Sequence, residues 1–131
     1  MSWACYLAGA DILFGISGSD VIYTGGEMDD SLRGDDGANL LCGGDGIDEL
    51  NGGYGSDFLS SGEGVDTLLD GRGDDSLYGG VGADFLSGQV GNDYIAGGEG
   101  DDSHHGVHGN DDLNDGCLVA SKPEAPTPFW S

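Results

Sequence analysis

Aspartate recurs at a fixed spacing along most of this chain. A nine-residue period runs through twelve consecutive units, from Tyr6 to Asn114, and eleven of the twelve units carry aspartate at their sixth position. These side chains, with the single asparagine among them, are Asp11, Asp20, Asp30, Asn39, Asp48, Asp57, Asp66, Asp75, Asp84, Asp93, Asp102 and Asp111. Carboxylates beside backbone carbonyls are the ligands that hard cations such as Ca²⁺ prefer. The spacing therefore predicts a row of metal sites.

Glycine surrounds each of these aspartates. The clearest units are GGDGIDELN, GGYGSDFLS and GGVGADFLS, at residues 43–51, 52–60 and 79–87, and the fourth position is glycine in eleven of the twelve units. Glycine adopts positive φ without steric cost and allows the backbone to approach a ligand closely. We therefore expect each unit to begin with a tight turn whose carbonyl groups lie near the aspartate.

The last three positions of each unit have the alternation of a short strand. Position 8 is Leu or Ile in eleven of the twelve units, with His104 as the exception. A strand of three residues is not stable alone, so each unit must stack on copies of itself. The expected inward columns are Leu13, Leu32, Leu50, Leu68, Leu86 and His104, facing Ile22, Leu41, Leu59, Leu77, Ile95 and Leu113.

Two irregularities lie in the first third of the chain. Met28 replaces the fourth-position glycine, and Thr24 is one residue too many between two units. Asn39 is a neutral oxygen ligand, so sites beside it should be weaker than the others. We therefore expect the metal sites chiefly between Gly43 and Asp102, and the sequence leaves open whether the sites before about residue 40 are occupied.

The units resemble the RTX, or haemolysin-type, calcium-binding repeat, G-G-x-G-x-D-x-U-x with U a large apolar residue. The resemblance covers residues 6–114. It implies an all-β fold, a right-handed parallel β-roll solenoid of about six two-strand turns. Residues 1–5 would then form an N-terminal cap and residues 115–131 a C-terminal tail or cap.

The resemblance also implies how calcium is held. An ion would lie between the turns of two units that are two apart, bound by both sixth-position carboxylates and by carbonyls at positions 1 and 3 of one turn and 2 and 4 of the other. Besides the aspartates, the residues assigned in this way are Gly43, Gly44, Asp45, Gly46, Gly52, Gly53, Tyr54, Gly55, Ser61, Gly62, Glu63, Gly64, Asp70, Gly71, Arg72, Gly73, Gly79, Gly80, Val81, Gly82, Gly88, Val90, Gly91, Gly97, Gly98, Glu99 and Gly100.

The charge of the chain fits such ions. The formal net charge is −22, from 25 acidic and 3 basic residues, and 28 residues are glycine. This composition by itself favours disorder, because like charges repel and glycine loses the most conformational freedom on folding. Twelve units allow at most about ten shared ions, whose charge would offset most of the acidic excess. We therefore expect folding and calcium binding to be coupled.

The composition excludes several classes of partner and site. With three basic residues the chain cannot neutralise many phosphates, which argues against nucleic acid and anionic membranes. No apolar run is long enough for a transmembrane helix, and the N-terminus lacks the basic region of a signal peptide. Cys5, Cys42 and Cys117 fit no zinc or redox motif. The resemblance implies a secreted, extracellular protein, exported by type I machinery or as part of a larger exported protein.

Three other functions are open on sequence grounds. The first is an enzyme, which we do not expect, because no catalytic constellation can be assembled outside the repeats. The second is partner binding, self-association or carbohydrate binding through an apolar outer face containing Val21, Tyr23, Leu40, Phe58, Tyr78 and Tyr94. The third is the detached repeat region of a larger secreted toxin or hydrolase.

The histidines near the end of the repeats have two interpretations. His104, His105 and His108 could bind a transition metal. Alternatively, they mark a repeat that has lost its pattern near the end of the stack, where the core no longer needs leucine.

Overall fold

The computed structural model describes residues 3–5 and 9–114, the first three as backbone only. Within these residues every regular element is a β-strand. The strands are β1 (Trp3–Cys5), β2 (Ile12–Phe14), β3 (Val21–Gly26), β4 (Ser31–Asp36), β5 (Leu40–Asp45), β6 (Glu49–Tyr54), β7 (Phe58–Glu63), β8 (Thr67–Arg72), β9 (Ser76–Val81), β10 (Phe85–Ser87), β11 (Tyr94–Glu99), β12 (Ser103–His105) and β13 (Asp112–Asn114).

Successive strands alternate between two parallel sheets. The odd-numbered strands form one sheet, in the order β1-β3-β5-β7-β9-β11-β13, and the even-numbered strands form the other, β12-β10-β8-β6-β4-β2. Strands that pair are two units apart in sequence, so that Leu50 lies beside Leu68 and Leu59 beside Leu77. Two units therefore make one turn, and the chain forms a parallel β-solenoid of about six turns, as the sequence predicted.

The apolar core is a double column of position-8 side chains. The buried members are Ile22, Leu32, Leu41, Leu50, Leu59, Leu68, Leu77, Leu86 and Ile95. Leu13 packs against this core and is partly buried. Leu113 continues the column in register with Ile95, as predicted, but it is 47% exposed. Leu113 lies in β13, the last described strand of its sheet, which has a paired neighbour on one side only.

Most strands are longer than the sequence predicted. Instead of three residues, β4 to β9 and β11 have six, because each continues through the first three positions of the next unit. Glycine at position 2 accompanies this extension in six of the seven strands: Gly62 has φ 110° and pairs with Gly44, whose carbonyl oxygen a β-carbon would overlap. Where Gln89 takes this place with φ 54°, β10 ends at Ser87. In β4, however, Asp35 takes it with φ 65° and the strand still has six residues, so the residue at position 2 does not by itself set strand length.

Thr24 has a different place from the one expected. It faces the interior, 1% exposed, in the place where other units have their first glycine, and its hydroxyl donates a hydrogen bond to the carbonyl of Gly43. The register shift lies between Tyr23 and Gly26, so Gly26 pairs with Gly44. The extra residue is therefore absorbed by a bulge at the glycines, while Thr24 contributes a buried polar contact.

The aromatic residues of the predicted outer face lie on the seven-stranded sheet. The ring centroids of Phe58 and Tyr78 are 5.0 Å apart, and those of Tyr78 and Tyr94 are 5.7 Å apart. Tyr23 and Phe58 are about two-fifths exposed. These contacts form a short ladder of rings on the surface, and its binding partner stays a prediction.

The N-terminal segment continues the seven-stranded sheet. The backbone of Trp3–Cys5 pairs in parallel register with Val21–Tyr23, so these residues take the place of positions 7 to 9 of a further unit. The predicted tail, 115–131, lies outside the described residues. No helix that could cross a membrane occurs in the described part of the chain.

Candidate metal centre

The sixth-position aspartates form two buried rows, one beside each line of turns. Asp48, Asp66 and Asp84 in one row, and Asp57 and Asp75 in the other, are at most 3% exposed. Each directly follows a glycine turn and directly precedes a strand. The 18-residue stacking of the turns therefore brings aspartates of alternate units side by side.

One oxygen of each carboxylate binds the neighbouring coil. The Oδ1 atom of Asp66 accepts a hydrogen bond from the backbone N–H of Asp48 at 2.7 Å, and Oδ1 of Asp84 accepts one from Asp66 at 2.8 Å. The same contact repeats along both rows, from the N–H of Asp11 at one end to the carboxylate of Asp111 at the other. This ladder fixes the orientation of the sixth-position carboxylates from Asp30 to Asp111.

The second oxygen of these carboxylates is buried without a hydrogen-bond partner. This holds for Oδ2 of Asp30, Asp48, Asp57, Asp66, Asp75, Asp84, Asp93 and Asp102. A buried carboxylate oxygen without a donor is unfavourable unless a cation compensates for it. The sites thus fit a row of calcium ions, which would take the unused oxygen of each aspartate.

The first glycine of each unit makes room for this oxygen. A β-carbon at Gly79 would lie 2.5 Å from Oδ2 of Asp84, and one at Gly52 would lie 2.6 Å from Oδ2 of Asp57. The unpaired oxygen therefore lies against the backbone of position 1, whose carbonyl is among the predicted ligands. Glycine at this position leaves space next to the carboxylate, whereas Ser61 and Asp70 place a buried side chain there.

The carboxylates are poorly accommodated in their ionised form without a cation. Burial, the main cause, raises the pKa of Asp48 and of Asp75 to about 7 and that of Asp84 to about 6. The backbone hydrogen bond to each carboxylate opposes this rise, and the adjacent aspartates add to it. A bound cation would favour the ionised form of all three.

The third-position residues offer only their backbone to the sites. Their side chains, such as those of Tyr54, Glu63 and Arg72, are exposed. The carbonyl of Glu63 accepts a hydrogen bond from Gly46 N–H at 2.9 Å, and that of Arg72 one from Gly55 N–H at 2.8 Å. Since a carbonyl oxygen has two lone pairs, this bond leaves one for a metal ion.

Both polar atoms of the Asn39 side chain have hydrogen-bond partners, whereas most of the sixth-position aspartates leave one oxygen unpaired. Its Oδ1 accepts a hydrogen bond from Asp20 N–H at 2.9 Å, in the same manner as the aspartates. Its Nδ2 donates to the carbonyl of Gly37 at 3.2 Å, within its own turn. The amide N–H group thus occupies a carbonyl that a cation would use, which favours a weaker site here.

The rows of aspartates include the first units, for which the sequence left the occupancy of the metal sites open. Asp20 and Asp30 are 1% and 4% exposed, although they precede residue 40, and Asp11 is half-buried. Asp102 and Asp111 are also half-buried at the other end of the rows. The bulge at Thr24 preserves the stacking there, so the irregular units still present their carboxylates.

The carboxylate of Asp70 also lies at the metal sites, although the sequence did not predict it as a ligand. Asp70 was assigned only as a carbonyl ligand, but its side chain is completely buried, and an oxygen of its carboxylate lies within 4.8 Å of oxygens of Asp75 and Asp93. Burial, followed by repulsion from Asp75 and Asp93, raises the pKa of Asp70 to about 9, and the N–H of Gly71 offsets part of this. The sequence contains one sign of this extra carboxylate, because Asp70 stands at position 1 of its unit, where most units have glycine.

The three histidines do not form a metal site in the described residues, where Asp70, Asp75 and Asp93 are the one group of three potential ligands within 4.8 Å. The ring of His105 packs on Phe85 with centroids 5.1 Å apart. The transition-metal interpretation is therefore not supported, and the histidines lie in the last two repeats, at the end of the stack.

Comparison with protein families agrees with this geometry. The family model for the RTX calcium-binding nonapeptide repeat (4 copies) matches residues 7–27, 24–50, 33–68, 60–95 and 69–103, which together span residues 7–103. No individual curated protein matches the sequence. The matched region is more than half of the chain and contains the buried aspartate rows from Asp11 to Asp102, so the chain belongs to the RTX calcium-binding nonapeptide repeat family, whose repeats bind calcium in a β-roll.

Proposed function

We propose that this chain is a calcium-binding module that folds when it binds calcium and that works outside the cell. The observation that supports this most directly is the set of buried carboxylate oxygens that have no hydrogen-bond donor. They occur in a chain with 25 acidic and 3 basic residues, so the protein itself has few cations to neutralise them. Calcium ions supply the missing charge.

Folding depends on the ions because the core is small. The described residues bury nine large apolar side chains, one per unit at most. At about 1.5–3 kcal/mol for each buried side chain, this is far less than the conformational entropy lost by about a hundred residues. The backbone hydrogen bonds between stacked strands stabilise the fold, but the buried carboxylates destabilise it. A ligand that binds only the folded form then provides the remaining stability.

The donor set favours calcium over magnesium. All proposed ligands are carboxylate and carbonyl oxygens, and they are attached to stacked turns that differ slightly from one another. Calcium accepts six to eight oxygens in irregular arrangements, whereas magnesium requires near-ideal octahedral geometry and retains its water. Open repeat sites of this kind correspond to dissociation constants of about 10⁻⁴–10⁻³ M, which suit extracellular calcium.

Coupled folding and calcium binding would also suit export of the chain from the cell. In low intracellular calcium the chain would stay unfolded, which suits passage through a secretion channel, and it would fold on arrival outside. RTX repeats are structural calcium-binding repeats and not catalytic ones, so we assign the described residues no catalytic role. Attachment to a larger secreted toxin or hydrolase is compatible with this proposal.

The test is a calcium titration of the full chain followed by far-UV circular dichroism. We expect a cooperative change from coil to β-structure at roughly millimolar calcium. Magnesium at the same ionic strength should not produce it. A chain that is fully folded in chelator would contradict coupled folding, and a chain that binds no calcium in equilibrium dialysis would contradict the proposed function itself.

A further inference from the structure

We propose that Asp70, Asp75 and Asp93 form a three-carboxylate calcium site that binds its ion more tightly than the ordinary sites of the roll. The inference rests on the proposed function and adds one special site to it. An ordinary site of the repeat has two carboxylates, from units two apart. Here the side chain of Asp70 adds a third.

The position of Asp70 in the fold explains how it reaches the site. It lies in β8 at the first position of its unit, where the equivalent residue of the preceding coil is Gly52. Side chains at this position face the interior, as the buried Thr24 and Ser61 also show. Because the unpaired oxygen of each aspartate lies against position 1 of its own unit, a carboxylate placed there must meet Asp75.

The other inward side chains at this position make hydrogen bonds, and the carboxylate of Asp70 makes none of normal geometry. Ser61 donates a hydrogen bond of 2.7 Å to the carbonyl of Gly79, and Thr24 donates one to Gly43. A carboxylate can donate none when ionised, and neither oxygen of the fully buried Asp70 has a hydrogen bond of normal geometry, although the adjacent N–H of Gly71 lowers its pKa. Oδ2 of Asp75 and Oδ2 of Asp93 are likewise buried and unpaired. Four buried oxygens of these three carboxylates thus have no hydrogen-bond partner of normal geometry.

Charge and geometry together identify the ligand. One oxygen from each residue lies within 4.8 Å of the others, a spacing that allows a single ion to contact all three. All three residues offer carboxylate oxygens, which select a hard cation such as calcium. Because affinity for calcium rises with the number of charged ligands, this site should hold its ion about tenfold more tightly than a two-carboxylate site, or tighter still.

The experiment removes the ions from the folded, calcium-loaded chain. The protein is dialysed against rising concentrations of a calcium chelator, and bound calcium is counted by atomic absorption. Because folding and calcium binding are coupled, the ions should leave together, and we expect the wild type to keep them to a severalfold higher chelator concentration than Asp70→Asn, which keeps the shape and removes the charge.

Two further variants act as controls. Asp70→Gly restores the glycine found at Gly52 and should behave as Asp70→Asn does. Asp101→Asn removes one exposed charge outside the site and should release its calcium at the wild-type chelator concentration. If Asp70→Asn also releases its calcium at the wild-type chelator concentration, the three-carboxylate site is refuted while calcium binding by the repeats stands. Absence of bound calcium in every variant would refute both.

A measurement on the wild type alone gives a second test. The luminescence lifetime of the first bound Tb³⁺, compared in H₂O and D₂O, counts the water molecules on the ion. A completely enclosed site predicts few or none for the first equivalent and more for later ones. A first ion that carries several waters would place the tightest site at an exposed position, contrary to the inference.

Discussion

At the scale of one residue, Asn39 shows that a change of one side-chain group alters the chemistry of a site. Its Oδ1 atom makes the same backbone contact as an aspartate, but its Nδ2 atom donates to Gly37 where an aspartate leaves an acceptor without a partner. Asparagine and aspartate differ here only in an NH₂ group and an O⁻ atom. The NH₂ group finds a hydrogen-bond acceptor within the turn, whereas the O⁻ atom needs a cation.

Replacing Asn39 by aspartate should convert this turn into a calcium-dependent one. We expect Asn39→Asp to bind more calcium at saturation and to need more calcium to fold, because the new carboxylate is buried beside Asp57 without a donor. Equilibrium dialysis gives the number of ions, and circular dichroism gives the midpoint. The control is Ala38→Asp, which adds the same charge at an exposed neighbouring position. An unchanged number of ions in Asn39→Asp would show that the asparagine site was already filled.

At the scale of the element, the period of nine predicts which residues face the core but not how far each strand extends. Leu50 and Leu68 were identified as inward residues because a large apolar side chain recurs at position 8. The extension of β6 and β8 through Gly53 and Gly71 was missed, since glycine pairs usually indicate a turn and carry no side chain to show alternation. The same omission hid Asp70, whose side chain faces inward only because β8 continues past Leu69.

The position-2 glycines should stabilise most of these longer strands. Gly62→Ala places a β-carbon against the carbonyl of Gly44 and forces alanine to φ 110°, so we expect the calcium-loaded protein to lose at least about 2 kcal/mol in free energy of unfolding. Urea unfolding at saturating calcium measures this loss. Ser60→Ala, in the same strand but outward-facing, should change stability by less than about 0.5 kcal/mol. Equal stabilities of the two variants would show that the backbone there can relax.

At the scale of the whole molecule, protons and calcium ions compete for the same buried oxygens. In the metal-free fold the pKa values of Asp48 and Asp75 rise to about 7 and that of Asp70 to about 9, mainly through burial, whereas an aspartate in an unfolded chain has a pKa of about 3.9. The carboxylate of Asp70 faces those of Asp75, Asp93 and Asp57, and no basic group contributes to its shift. The folded form thus binds more protons than the unfolded form between these values.

The two ligands should therefore give pH dependences of opposite sign. In calcium-stripped buffer, protonation stabilises the fold, so its β-signal and urea midpoint should be higher at pH 5.5 than at pH 8, falling as pH passes through the raised pKa values. With calcium, the ligands must be ionised, and the calcium concentration needed for folding should fall as pH rises. Adding about 1 M NaCl at pH 8 distinguishes buried carboxylates from general surface repulsion, because salt screens exposed charges strongly and buried ones weakly. If salt alone restores the metal-free fold at pH 8, net charge and not the aspartate rows controls folding; if it does not, the buried oxygens must be neutralised one by one, by a proton or by calcium.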